Sequence, residues 1–169
     1  MPLSPDDLFA KLDALGIRTT TVRHPPLFTV EQSKELRGEL PGGHTKNLFL
    51  KDKKDRMWLV TAEEDRALDL KALGGSLGAQ GRVSFGSAER LMRYLGVEPG
   101  AVTPFGLVND AGGAVSFVLD QDLLRHDLLN FHPLTNAATT AIGREDFLRF
   151  LAAIGHAPSV LALRAPVGA

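Results

Sequence analysis

Three stretches of this sequence gather side chains that could do chemistry. The first, Gly42-Gly43-His44-Thr45-Lys46-Asn47-Leu48-Phe49-Leu50, sets the Lys46 ammonium, with Asn47 beside it, at the mouth of an apolar β-strand. An ammonium there can meet a phosphate, a carbonyl or a developing oxyanion, and adjacent glycines let a ligand approach the backbone closely. A lysine at a strand end is also the ordinary solvated lysine, and this segment alone favours that plainer role. The second stretch, Asn130-Phe131-His132-Pro133-Leu134-Thr135-Asn136-Ala137-Ala138-Thr139-Thr140, is rich in hydrogen-bonding groups between apolar segments, as a capped loop would be. The third, Gly100-Ala101-Val102-Thr103-Pro104, reads by itself as a β-turn of small residues leading into Phe105.

The other reactive residue types point nowhere in particular. His24, His44, His126, His132 and His156 are scattered, with neither an H-x-x-x-H pair nor an H-E-x-x-H motif. His126 and His156 read as surface or helix-end histidines, whereas the neighbours of His132 set it apart. The chain has no cysteine, which removes disulfides, thiolate zinc sites and a Cys nucleophile together. No metal site and no cofactor is expected. Gly74-Gly75-Ser76-Leu77-Gly78 matches G-x-S-x-G, but that motif needs a strand, a sharp turn and a helix around its serine. Here the preceding residues look helical and the following ones look like loop, so the stretch reads as a Gly-rich connection.

Composition bounds the class. With 169 residues, 44% hydrophobic and 23% charged, the chain suits one compact folded domain, residues 1–169, without a linker or repeat. Lys+Arg 19 against Asp+Glu 20 leaves a net charge of -1, which excludes a polybasic binder, so a nucleic-acid partner must be held by a local patch. Lys51, Lys53, Lys54 and Arg56 are the best candidates for such weak contacts, with Arg82, Arg90 and Arg93 as another group, although Asp52 and Asp55 also fit a merely solvated hairpin. The absence of a signal-like start or an apolar membrane span predicts a soluble cytoplasmic protein with no membrane partner.

The elements that must position these residues follow from local signals. Ser4-Pro5-Asp6-Asp7 opens an amphipathic helix that runs to Gly16, and Thr19–His24 is a short strand stopped by Pro25-Pro26. Thr29 and Gln32 form a capping-box pattern for a second helix that ends before Pro41. Leu48–Lys51 and Met57–Thr61 form a hairpin around Asp52–Asp55. A short helix over Leu68–Leu73 breaks at Gly74-Gly75, Val83–Phe85 is a strand, and Ser87 caps a helix over Ala88–Leu95 that Gly96 stops. Phe105–Val108 and Val115–Leu119 flank Asn109–Gly113 as a second hairpin, and a last helix covers Arg144–Ile154. Hairpins mixed with isolated helices predict an α+β fold with a mixed, mainly antiparallel sheet.

Taken together, G-G-H-T-K-N-L-F-L, the G-x-x-x-P loop from Gly100 to Pro104 with the following F-G-L-V-N-D, and F-H-P-L-T-N-A-A-T-T resemble the bacterial prolyl-tRNA editing proteins. These are free-standing relatives of the editing insertion of prolyl-tRNA synthetase and of the Cys-tRNA(Pro) deacylases. The resemblance covers nearly the whole chain, and F-H-P-L-T-N-A-A-T-T looks most like the subgroup that removes alanine from tRNA(Pro). It implies a curved mixed sheet flanked by helices, a pocket on that sheet for the aminoacyl end of tRNA, and metal-independent ester hydrolysis. Lys46 matches the family's essential lysine, Gly100 and Pro104 match the ends of a substrate loop that encloses Ala101, Val102 and Thr103, and His132 matches a pocket-shaping histidine. Thr29 and Val30 join the pocket because they follow Pro25-Pro26 as similar residues do in relatives. The implied partner is aminoacyl-tRNA(Pro), and the involvement of prolyl-tRNA synthetase itself stays open.

The chemistry fits so modest an apparatus. An aminoacyl ester is already activated, so a site need only orient water, stabilise the oxyanion and exclude the cognate amino acid. A pocket cut for a methyl group rejects proline sterically, while rejection of glycine rests on one lost methyl contact and is weaker. Other mischarged esters (Cys, Ser or Thr), or binding without catalysis, are the competing expectations.

Overall fold

The computed structural model describes residues 2–26 and 40–163. The helix expected from Thr29, and the pocket residues Thr29 and Val30, lie outside the described residues. Helix α1 (Pro5–Ala14) forms where expected, because the Ser4 hydroxyl accepts from the Asp7 amide at 3.1 Å and the Asp7 carboxylate accepts from the Ser4 amide at 3.0 Å. Its buried face, Leu8 and Leu12, packs into the main core. Strand β1 (Thr19–Arg23) follows.

Strands β2 (Gly43–Lys51) and β3 (Met57–Glu63) make the expected antiparallel hairpin, with Leu48 opposite Val60. β2 begins earlier than the apolar run suggests, so Lys46 lies within the strand and not at its start. The hairpin turn is organised by one carboxylate. Buried Asp52 accepts from the amides of Lys54 at 2.9 Å, Arg56 at 2.9 Å and Gln80 at 3.0 Å, and from Arg56 Nε at 3.1 Å.

Helix α2 (Leu70–Leu77) corrects an expectation. It begins at an Asp69 cap and runs through Gly74-Gly75, where a break was predicted, stopping only at left-handed Gly78. Gly74 is tolerated because it packs against Val83, so the helix gains a close contact where it loses propensity. Ser76 is therefore helical and its hydroxyl bonds the Ala72 carbonyl at 3.3 Å, a geometry foreign to a nucleophile elbow. Strand β4 (Ser84–Phe85) and helix α3 (Ala88–Leu95, capped by Ser87 and stopped at Gly96) are as expected.

The second hairpin does not exist. Residues Pro104–Asn109 form a 3-10 helix, capped by the Thr103 hydroxyl on the Phe105 amide at 3.2 Å and opened by Pro104, whose ring suits a first helical turn. The Asn109–Gly113 turn is real but joins that helix to β5 (Val115–Asp120), with the Asp110 carboxylate accepting from the Ala114 and Val115 amides at 3.1 and 2.8 Å. After a second 3-10 turn (Gln121–Arg125), the polar stretch expected to be a loop is framed by two strands, β6 (Leu128–Phe131) and β7 (Ala138–Gly143). Their polar residues escape the usual alternation because cross-strand bonds satisfy them, as between the Thr21 and Thr140 hydroxyls at 2.8 Å. Helix α4 (Arg144–Ala153) and strand β8 (Ser159–Leu161) complete the described chain.

The strands form one mixed sheet in the order β1-β7-β6-β2-β3-β5-β8, with β4 also on β2. Pairs β1–β7, β6–β7, β2–β3 and β2–β4 are antiparallel, while β2–β6, β3–β5 and β5–β8 are parallel, which makes the class α+β as predicted. Alternation along the central strands sends Phe49, Leu59 and Phe117 into a large core with α1, α3 and α4, and Leu50, Trp58, Val60 and Val118 into a smaller one with Leu73 of α2 and Val83. The larger core centres on aromatic rings: Phe105 meets Phe131 and Phe150 edge-on at 5.7 and 5.4 Å, and Phe131 lies 4.6 Å from Phe147.

Burial opposes ionisation of Asp52, but its hydrogen bonds to Gln80, Arg56 and Lys54 outweigh that and hold its pKa at about 2. A carboxylate with a depressed folded pKa stabilises the fold fully above its ordinary value of 3.8, and that stabilisation fades as pH falls towards about 2. The Asp52→Asn variant should unfold at lower urea concentration than the wild type near neutrality. The gap between the two should close across that acid window in a urea titration repeated over pH.

Candidate active site

Lys46 stands opposite Ala62 and, by alternation, shares the strand face of Leu48 and Leu50. It is half-buried, and its ammonium donates to the Arg66 carbonyl. Burial lowers its pKa first and the Arg66 guanidinium lowers it further, while Asp65 and Glu64 pull the other way. The turn that carries these groups leaves β3 directly against β2, with the Glu64 amide on the His44 carbonyl and the Arg66 amide on the Glu63 carbonyl, each at 3.0 Å.

His132 comes to the same place from the far end of the sequence. β6 runs parallel to the start of β2, with His44 opposite Asn130, and the Thr45 hydroxyl donates to the Asn130 carbonyl at 2.8 Å. The Asn130 amide answers with bonds to the Gly43 and Pro41 carbonyls at 3.2 and 2.9 Å. Just beyond β6, His132 Nδ1 donates to the Ala138 carbonyl at 3.1 Å, which leaves Nε2 as the acceptor of the neutral ring. Burial lowers the His132 pKa and nearby His24 lowers it further, against the Ala138 bond and Glu64. Glu64 thus acts electrostatically on both Lys46 and His132.

The glycines of the first stretch serve this docking and not a ligand. A Cβ on Gly42 would lie 2.7 Å from the Leu128 carbonyl oxygen, and one on Gly43 would lie 2.6 Å from the His126 ring. The third stretch arrives through Gly100, whose φ of +94° is left-handed and whose Cβ position is 3.5 Å from the Asn136 amide nitrogen. Within that loop Ala101, Thr103 and Pro104 are buried and hold the chain, leaving Gly100 and half-buried Val102 with accessible surface.

Other expected residues are placed apart. Asn47 turns to the opposite face and accepts from the buried Thr61 hydroxyl at 2.5 Å. Lys51, Lys53, Lys54 and Arg56 cluster at the hairpin turn, beginning about 17 Å along β2 from Lys46 at the usual strand rise. There Lys53 and Lys54 are exposed, Lys51 pairs with Asp55 at 3.6 Å, and Arg56 is bound to Asp52 and lies 5.1 Å from the Trp58 ring centre. His156 lies just past the end of the last helix, one of the two expected placements, but it is not at the surface: it is 7% exposed, its amide bonds the Leu151 carbonyl, and its Nε2 donates to the Asp110 carbonyl at 2.9 Å. His126 is half-buried against Glu63 at 2.9 Å. Among the described residues no group of three or more His, Asp or Glu is placed to hold a metal ion.

Sequence reasoning missed Glu64, Arg66, Asp120 and the role of His24. The Arg66 guanidinium bonds Asp120 at 2.6 Å and also Asp122, and no spacing rule links a turn after β3 to the end of β5 and the 3-10 turn beyond it. His24 was visible only as a histidine at a strand end, and its Nε2 shares a hydrogen bond with the Thr139 hydroxyl at 2.9 Å.

Comparison with known proteins gives a consistent picture. Residues 24–150 match the aminoacyl-tRNA editing domain. The mouse prolyl-tRNA synthetase associated domain-containing protein 1 is 45% identical over 159 residues, covering 92% of this chain and 94% of its own. The prolyl-tRNA editing protein ProX of Acetoanaerobium sticklandii is 38% identical over 150 residues, covering 88% and 91%. A crystal structure of a candidate trans-editing enzyme for prolyl-tRNA synthetase superposes with a TM-score of 0.69 over 97% of this chain and 99% of its own, at 22% identity, which is a likeness of fold.

Because Gly100 occupies a left-handed conformation, Gly100→Ala should cost about 1–2 kcal/mol of stability, while its methyl comes into ordinary van der Waals contact with the Asn136 amide. A denaturation midpoint together with the Asn136 side-chain amide resonance reads both effects.

Proposed function

The chain belongs to the aminoacyl-tRNA editing domain family, and from that premise we propose that it deacylates tRNA(Pro) mischarged with alanine, acting in trans to the synthetase. What supports this reading is that Glu64 acts electrostatically on both half-buried Lys46 and His132, and that the Gly100 loop lies against Asn136, four residues past His132. In this reading the Lys46 ammonium and neighbouring amides hold the oxyanion or the terminal adenosine, and the substrate's own 2'-hydroxyl helps orient the attacking water. A half-buried ammonium serves this role better than a solvated one, since fewer waters compete for its donors.

Asn47 takes part through its main chain. Even-numbered residues of β2 turn their backbone groups towards β3, as the His44 carbonyl does, and odd-numbered ones turn away, as the Phe49 carbonyl does towards Gly86. On that outer side β2 pairs with β6 at Gly43–His44 and with β4 at Leu50–Lys51, and no described strand pairs the residues between. The Asn47 amide therefore faces a gap where substrate can use it, while Thr61 keeps its side chain occupied. Gly100 and Val102 line the amino-acid end, and the remaining loop residues hold it in shape; the family resemblance adds Thr29 and Val30, which lie outside the described residues, as candidates.

Half-buried His132, tied through Nδ1 to the Ala138 carbonyl, is read as a pocket wall because an activated ester needs positioning more than proton abstraction. The hairpin lysines supply weak contacts to tRNA, a synthetase is a plausible companion given the relatives' names, and the cytoplasm is the expected site of action. Among the described residues no helix is long and apolar enough to cross a membrane.

Against a panel of tRNAs mischarged with Ala, Cys, Ser or Thr, the alanyl ester should be hydrolysed fastest. Lys46→Ala should lower the single-turnover rate by about 100-fold or more with little change in thermal stability, and Lys46→Arg should restore it only in part. Binding without deacylation of any ester would make the protein a carrier and not an enzyme.

His132→Ala should widen the pocket, so that discrimination among esters changes more than the maximum rate on the best one. Rates across pH on alanyl and bulkier esters decide this: a variant uniformly dead on all, with the wild-type acid limb gone, would make His132 the base.

A further inference from the structure

We propose that Arg66, clamped by Asp120 and Asp122, is a positioning residue that sets the direction of the Lys46 ammonium. The inference rests on the role given above to Lys46. A lysine carries four rotatable carbons and a large side-chain entropy, so a strand lysine holds one direction only where something anchors its nitrogen. Here the anchor is the Arg66 carbonyl. With one ammonium donor held there, the others have a defined direction left for substrate.

A carbonyl anchors only as well as its own backbone is held, and this one is held on every side. The Glu63–Arg66 turn is pinned to β2 by the Glu64 amide on the His44 carbonyl. It is pinned to β5 by the side chain of Arg66 itself, with Nε on Asp120 at 2.6 Å and the outer nitrogen on Asp122. The Asp120 carboxylate also receives the Glu63 amide at 3.3 Å and caps the second 3-10 turn through the Asp122 amide at 3.2 Å. β5 in turn lies parallel to β3, with Leu119 opposite Thr61. One residue therefore ties β5 with its guanidinium and the β2 lysine with its carbonyl.

The arrangement is more than a structural ion pair in its consequences. Asp120 is fully buried and the Arg66 side chain is 16% exposed, a setting where apolar replacements often serve stability as well. An arginine here adds a positive charge near Lys46, and Asp65 and Glu64 on the same turn partly offset it. Arg66→Met keeps the anchoring carbonyl but takes away the side-chain clamp that holds its turn, and it removes a positive charge near Lys46, a change that raises the affinity of Lys46 for its proton.

The test follows Lys46 directly. The rate of Nζ acylation by a trace amine-reactive reagent, read by mass spectrometry across pH, gives the Lys46 titration whether or not any ester is hydrolysed. In Arg66→Met that titration should move to higher pH, and the single-turnover rate on alanyl-tRNA(Pro) should fall on the order of tenfold or more with tRNA affinity nearly unchanged. Arg66→Lys should recover part of the rate. Asp122→Asn, at a partly exposed position, loosens the clamp while removing a negative charge, so it should lower the rate more weakly without raising the Lys46 titration, and it decides the matter if Arg66→Met does not fold. Folded variants with an unchanged Lys46 titration and rate would overturn the inference. A shifted Lys46 titration in a protein whose wild type hydrolyses no ester would uphold the hold of Arg66 on the ammonium and remove the deacylase reading instead.

Discussion

The site depends on the register of β2 against β3. Phe49 and Leu50 enter different cores from adjacent positions, so a slip by one residue would expose one core and bury the Lys46 ammonium's neighbours in the other. That constraint fixes the face on which Lys46 stands, sends Asn47 to the other, and brings the Glu63–Arg66 turn over the start of β2. The hairpin is locked at its far end by Asp52, whose buried carboxylate collects amides from the turn and from Gln80. Register, and with it the lysine's position, is thus set by apolar burial along the strand and by one polar knot at its tip.

Around that strand the sheet opens on one side. β6 and β4 each take a short end of β2, and no described strand pairs the interval between them, where Lys46 and Asn47 lie. In the proposed reading an ester bound there would meet an ammonium, a main-chain amide that no described strand pairs and a half-buried imidazole. None of these groups is a strong nucleophile, which accords with a substrate that is already activated and with selectivity set by pocket size. The electrostatics are balanced within a few residues: Arg66 disfavours the Lys46 charge, Glu64 and Asp65 favour it, and Glu64 also reaches His132.

Much of this was legible in the sequence, for identifiable reasons. Caps and stops that act within one turn, such as Ser4 with Asp7, Ser87 and Gly96, declared their helices because the chemistry is local. The α+β class followed from hairpins mixed with isolated helices. What failed was decided at long range. Phe105–Val108 looked like a strand because its apolar run carries no mark of the Thr103 cap and of its burial among Phe131 and Phe150. β6 and β7 were hidden by their own polar residues, which are satisfied across strands. Lys46 and His132 could be singled out from motifs, whereas the Arg66–Asp120 clamp could not, since only the parallel pairing of β3 with β5 brings the two together.

The central claim is that the three stretches form one substrate pocket around Lys46, and an unreactive substrate mimic tests it most directly. Titration of the protein with 3'-alanylamino-3'-deoxyadenosine, whose amide replaces the labile ester, can be followed through backbone and side-chain resonances. The account predicts that Lys46, Asn47, Glu64, Gly100, Val102 and His132 shift together along one saturating curve, and that these shifts weaken in Lys46→Ala. Shifts confined to the Asp52–Arg56 turn or to the buried His156 region, with Lys46 and His132 silent, would contradict it.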